Sequence, residues 1–321
     1  MSNKIKEEMD KIKIPKEIKE KSENGVYQAK MEMKKEKKAF HIKNIVVAAV
    51  ILISIGTFTW FNNGTISNNM TEYIINNTNS SYTMENGAIQ IPAIELPEDN
   101  TNADMIGLIM YDGKIYTQTD TEIDLTNASS IKGERLGKTK GTINEWSKQE
   151  DFAKEFASSV EEAEVFSVKG YDSNFRIMTF MKKNGEVNAN FYENLNGITI
   201  SNGNDVFGKL KMIGKVSRAQ WRAYSDWDSE IENYHDLEDM TTLNTFIEEL
   251  NTTTPLLRKQ TSDPITSSRS DNLFRELIIY LNDGSKVKLT LLKEGYIYYG
   301  FMDVYFKMKP DVFTKLWEEI E

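Results

Sequence analysis

One stretch of this chain constrains its architecture more than any other. Ile45–Phe61 reads IVVAAVILISIGTFTWF, and no charged residue occurs from Asn44 to Thr71. At a helical rise this run spans roughly 25 Å, the short end of what crosses the hydrocarbon core of a bilayer. Phe58, Trp60 and Phe61 gather at its C-terminal end, as aromatic rings do at a lipid–water boundary. Lys34, Lys35, Lys37, Lys38 and Lys43 flank the other end, and the next basic residue is Lys114. The positive-inside rule then places the N-terminus in the cytoplasm and the C-terminal region outside. A buried core helix seldom has such one-sided charge flanks. A cleaved signal peptide needs a small-x-small site, and none follows Trp60. The expectation is a single-pass signal anchor over residues 44–61, in the cell membrane.

Charge divides at the same place. Residues 1–43 hold 13 Lys, no Arg and 8 acidic residues, net +5, whereas residues 44–321 carry 26 basic and 41 acidic residues, net −15. That balance argues against generic nucleic-acid binding. The chain has no cysteine, which excludes disulfides, Cys-containing zinc sites and thiol catalysis, and it has only two histidines, His41 and His235. No cofactor and no metal site is expected.

The N-terminal 43 residues read as a basic helical tail. Ile5, Met9 and Ile12 fall at i, i+4 and i+7, one stripe of a helix. Pro15 breaks or restarts that helix, and Ile14, Ile18 and Val26 continue the apolar marks. Lysines alone would hold such a tail against anionic lipid. An apolar stripe adds the means to fold onto a cytoplasmic partner, so Ile5, Met9, Ile12, Ile14, Ile18 and Val26 are the candidate partner-binding residues.

Beyond the membrane run, residues 62–103 are rich in Asn, Ser and Thr, lack Lys and Arg, and include Pro92 and Pro97. The composition predicts a flexible stalk. The remainder predicts an α+β region of two similar modules, residues 104–210 and 211–321, each an antiparallel sheet with helices on one face. Three hairpins are legible, turning at Asp112-Gly113, Asn184-Gly185 and Asp283-Gly284. Phe152, Phe156 and Val160 predict one helix; Leu243, Phe246, Ile247 and Leu250 a second; Phe313, Leu316, Trp317 and Ile320 a third. The repeat rests on two parallels. Phe175-Arg176 precedes the Asn184-Gly185 turn as Phe274-Arg275 precedes Asp283-Gly284, and Asp205–Leu210 reads DVFGKL where Asp311–Leu316 reads DVFTKL.

Catalytic motifs are missing. Gly133–Thr139 reads GERLGKT, one residue short of a phosphate loop between its glycines, and a turn between strands is expected there. The acidic run from Asp226 to Asp239 lacks the Gly and Glu that an EF-hand needs, since Ile231 and Leu237 stand at those positions. No G-x-S-x-G, H-E-x-x-H or G-x-G-x-x-G occurs. The expectation is a protein without enzymatic activity.

Lys13-Ile14-Pro15-Lys16-Glu17-Ile18-Lys19-Glu20, then Asn24-Gly25-Val26, a lysine run and one apolar segment resemble the N-terminal region of transmembrane anti-sigma factors of Gram-positive bacteria. The resemblance covers residues ~5–61. It implies a cytoplasmic tail that sequesters a sigma factor and an extracytoplasmic domain that senses or binds a ligand not specified by the sequence. The family's zinc-binding His/Cys motif is absent, so the likeness is to the non-zinc type. The competing reading is a single-pass, membrane-anchored extracellular binding protein whose tail only sets topology.

Overall fold

The computed structural model describes residues 81–94, 107–143, 147, 149–258 and 263–321. The tail with its six candidate residues and the apolar run Ile45–Phe61 lie outside the described residues. No helix among the described residues is long and apolar enough to cross a membrane. Every strand pairing is antiparallel, and the strands form three sheets.

The smallest sheet joins β1 (Tyr82–Thr83), β2 (Ile89–Gln90) and β10 (Thr199–Ile200). A six-stranded sheet contains β3 (Leu108–Tyr111), β4 (Lys114–Thr117), β6 (Lys132–Lys138), β7 (Glu164–Val168), β8 (Arg176–Lys183) and β9 (Glu186–Glu193), in the order β3-β4-β9-β8-β7-β6. The largest sheet has eight strands: β5 (Thr121–Ile123), β11 (Val216–Ala223), β12 (His235–Leu237), β13 (Thr254–Leu257), β14 (Phe274–Leu281), β15 (Ser285–Leu292), β16 (Tyr296–Tyr298) and β17 (Val304–Lys307). Its order is β12-β11-β14-β15-β16-β17-β13, with β5 also paired to β15. Six helices accompany the sheets among the described residues: α1 (Ala128–Ile131), α2 (Phe207–Leu210), α3 (Tyr224–Asp228), α4 (Met240–Leu250), α5 (Pro264–Ser267) and α6 (Pro310–Glu319). The fold is therefore α+β, mainly antiparallel sheet with few helices.

The three expected hairpins form. Asp112 and Gly113 (φ 51° and 67°) and Asn184 and Gly185 (φ 54° and 89°) take positive φ at both turn positions, the twist-compatible two-residue geometry. The third loop differs, for only Gly284 is positive (φ 89°), and Asp283 Oδ1 accepts the Ser285 N–H instead. The two expected long helices form as well. Asp239 caps α4 by accepting from the Thr241 and Thr242 amides, and Pro310 opens α6. Leu243, Phe246, Ile247 and Leu250 of α4 meet Phe313, Leu316 and Trp317 of α6 in an apolar core shared with β8, β9, β14, β15 and β17. That core takes residues from Ile89 to Ile320.

Two local expectations need correction. The stretch around Phe152, Phe156 and Val160 is no α-helix. A short 3-10 turn covers Gln149–Ala153, and Phe156 stands at φ 59°. The amide of Phe156 donates to Met110 and its carbonyl accepts from Lys140, so strand-like bonds to β3 displace the helical ladder. Gly133–Thr139 is no turn either, since Lys132–Lys138 is strand β6 with two irregularities against β7. Gly137 lies directly under the Phe156 ring, where any Cβ would clash. Phe207–Leu210, which the repeat aligns with the start of α6, forms the single turn α2.

Part of the expected stalk is folded. β2 pairs with β10, and Ala88, Ile89 and Ile91 are buried. The Asn-rich composition masked this short apolar stripe. A fragment starting at residue 101 should therefore be less stable than one starting at residue 78, by roughly 2–5 kcal/mol for two lost isoleucines and a bared sheet edge. Paired urea melts measure this; equal midpoints and slopes would mean that β1 and β2 contribute nothing.

Candidate functional site

Two polar constellations stand out against this framework. The first is internal and ties the two larger sheets together. The Asn184-Gly185 turn sets the register that pairs Arg176, at the start of β8, with Glu193, at the end of β9. Both side chains are fully buried, and Glu193 Oε1 accepts from Arg176 Nε at 2.8 Å and Nη2 at 2.5 Å. The other carboxylate oxygen accepts from Tyr299 Oη at 2.5 Å and Thr119 Oγ1 at 2.8 Å. Thr121 Oγ1 lies 2.6 Å from the same tyrosine hydroxyl. Thr119 follows β4 of one sheet, and Tyr299 follows β16 of the other. The Arg176 guanidinium stacks 4.2 Å from the Tyr171 ring and 4.9 Å from Phe191, while its Nη1 has no hydrogen-bond partner. Burial, then the Glu193 charge, holds the Tyr299 hydroxyl well above its ordinary pKa, so it remains a donor.

The second constellation lies on the face of the large sheet opposite the shared core. Strand register puts Arg222, Glu276, Thr290 and Tyr298 in one row across β11, β14, β15 and β16. Arg222 Nε donates to Glu276 Oε2 at 2.5 Å, both side chains being 8% exposed, and the guanidinium also sits 5.3 Å from the Tyr234 ring. Beside this row Lys288 pairs with Glu122. Half-buried Asp120 adjoins Lys288, whose backbone amide donates to the Asp120 carbonyl. Asp120 Oδ2 accepts the Gly300 N–H at 2.7 Å. Burial pushes the Asp120 carboxyl up to about 6, aided by Glu276 and Glu193, while the Gly300 amide and Lys288 pull it back. Tyr224, Trp227, Phe274, Tyr296, Tyr298 and Tyr305 extend the face as an aromatic cluster, with Arg258 5.6 Å from the Tyr298 ring. Partly exposed tyrosines among paired charges combine apolar area with fixed hydrogen bonding on this face.

No family model, no curated protein and no solved structure matches this chain.

The acidic run from Asp226 to Asp239 is dispersed by the fold. Asp226 accepts from Asn233, Asp228 from Tyr224, Asp236 from Gln220, and Asp239 caps α4. His235 stacks on Trp221 with ring centroids 4.6 Å apart. Among the described residues no group of three or more His, Cys, Asp and Glu could hold a metal ion. Sequence reading named Arg176 and Phe274 only as marks of the repeat and gave no residue of the two constellations a functional role. The Arg176–Glu193 pair had a signal: a two-residue turn at 184–185 pairs 183 with 186 and hence 176 with 193. Arg222–Glu276 and Asp120–Gly300 had none, because their partners meet only through tertiary register.

Proposed function

We propose that the chain is a single-pass membrane-anchored regulatory protein of the anti-sigma type, without enzymatic activity. Its cytoplasmic tail sequesters a sigma factor, and its extracytoplasmic α+β part senses or binds a ligand. The observation that carries this reading is the charge step around Ile45–Phe61: 13 lysines precede it, and no basic residue follows before Lys114. The fold is consistent with two similar modules. The strands β7-β8-β9 and β11-β14-β15 run in the same antiparallel order, and Phe207 and Leu210 are buried as are Phe313 and Leu316. Among the described residues, only the second half carries long helices on its sheet.

The half-buried face around Asp120, Lys288 and Tyr298 favours a second reading, an anchored extracellular binding protein whose tail serves topology alone. Both readings require the same orientation. A reporter active only outside the membrane should be active when fused after Glu321 and silent when fused within residues 1–40. The reverse pattern would overturn both readings.

A further inference from the structure

The polar face of the large sheet carries more acid than its bases neutralise. Arg222 pairs with Glu276, Lys288 with Glu122 and Arg258 with Asp263. Among the described residues no lysine or arginine forms an ion pair with Asp120, or with Asp303 near Tyr298. Five carboxylates thus stand against three cations. Burial, with the Glu276 and Glu193 charges, raises the Asp120 carboxyl to about 6, the mark of a site with surplus negative potential.

The unused acceptor atoms of this face meet solvent in one depression. Strand register sets Thr290, a small side chain, between Glu276 and Tyr298, and Asp120 beside Lys288. Glu276 is only 6% exposed. Arg222 holds its Oε2, while its Oε1 has no hydrogen-bond partner and is not enclosed by protein. Asp120 is arranged alike, with Oδ2 on the Gly300 amide and Oδ1 unpartnered and open. Asp120 and Tyr298 are set deep among protein atoms, yet both keep part of their surface open to solvent, as groups on the floor of a concavity do. Among the described residues no three acids or imidazoles could hold a metal ion, which favours an organic cation over a bare one.

We propose that this depression binds a small organic cation, a primary ammonium on a short carbon chain. Asp120 Oδ1 takes the ammonium, Glu276 adds to the attraction, and Tyr298 covers the chain. The proposal rests on the reading that the α+β part binds a ligand, and it assigns the charge that ligand carries.

The test uses the full-length chain in dodecyl maltoside micelles, with n-butylammonium as probe and n-butanol and butanoate as its neutral and anionic counterparts. Tyr299-Gly300 is the one Tyr-Gly pair in the sequence. Carbonyl-labelled tyrosine with nitrogen-labelled glycine therefore gives a single amide signal, from the group that donates to Asp120. That signal should shift saturably with butylammonium, and the two counterparts should bind at least fivefold more weakly. Asp120→Asn keeps an acceptor for Gly300 but removes the charge, and should weaken butylammonium at least fivefold. Tyr298→Leu should weaken it at least threefold, and Tyr298→Phe should leave it unchanged. Absence of a saturable shift, equal binding by a counterpart, or unaltered affinity in Asp120→Asn would each overturn the proposal. Where a thermal melt shows Asp120→Asn unfolded, unaltered affinity in Tyr298→Leu overturns it instead. Binding of butanol or butanoate alone would overturn the cation and leave the ligand-binding reading in place. No shift from any of the three would overturn both at this face.

Discussion

Glu193→Ala should cost the α+β fold roughly 3–5 kcal/mol, the range for removing one member of a buried ion pair. The reason is the guanidinium left behind. Arg176 is fully buried, its Nη1 is already without a hydrogen-bond partner, and Glu193 is the carboxylate that neutralises it. Tyr299 and Thr119 lose an acceptor in the same step. For a region of this size the loss corresponds to a melting temperature lower by roughly 6–20 °C. The double variant Arg176→Met, Glu193→Met removes both charges and should recover most of the loss. Tyr299→Phe, which deletes one hydrogen bond to a charged acceptor, should cost about 1.5–3 kcal/mol. Urea unfolding of residues 78–321, followed by near-ultraviolet circular dichroism, gives the three variants' free energies against the parent, and a thermal melt gives the temperature shift. If Glu193→Ala melted like the parent, the pair would not be the tie between the sheets.

That pair also shows where sequence reading of this fold ends. The hairpins were legible because Asp112-Gly113 and Asn184-Gly185 need positive φ and take it. The helices α4 and α6 were legible because four apolar residues repeat at helical spacing and become buried. Phe156 misled for the same reason. Its spacing to Phe152 and Val160 is helical, but its amide and carbonyl bond to Met110 and Lys140, partners the local pattern does not contain. Ile89 and Ile91 were hidden by the polar residues around them, and only pairing with Thr199–Ile200, over a hundred residues away, shows that they are core. The polar constellations follow the same division. Arg176 and Glu193 share a hairpin and could be deduced from it. Asp120 meets Gly300, and Arg222 meets Glu276, only after separate hairpins have joined one sheet.

If the N-terminal tail sequesters a sigma factor as proposed, shape should matter more than charge. Replacing Ile12, Ile14 and Ile18 by Asp should release the partner, because each apolar anchor contributes roughly 1.5–3 kcal/mol when fully buried. Three such losses far exceed a tenfold change in affinity. Changing Lys34, Lys35, Lys37 and Lys38 to Gln should act differently. Those lysines lie nearest the apolar run, so their loss should loosen placement at anionic lipid and slow association, with little effect on the complex once formed. Binding of the purified tail to candidate sigma factors gives the affinity, its association rate separates the two effects, and a transcription reporter in cells gives the consequence. The triple Asp variant should free the sigma factor and raise transcription, and the Gln variant should change mainly the association rate. If the triple variant binds and represses like the parent, sequestration by this stripe is wrong. The tail would then be only a topological anchor, and the second proposed reading, a membrane-anchored extracellular binding protein, would be the better one.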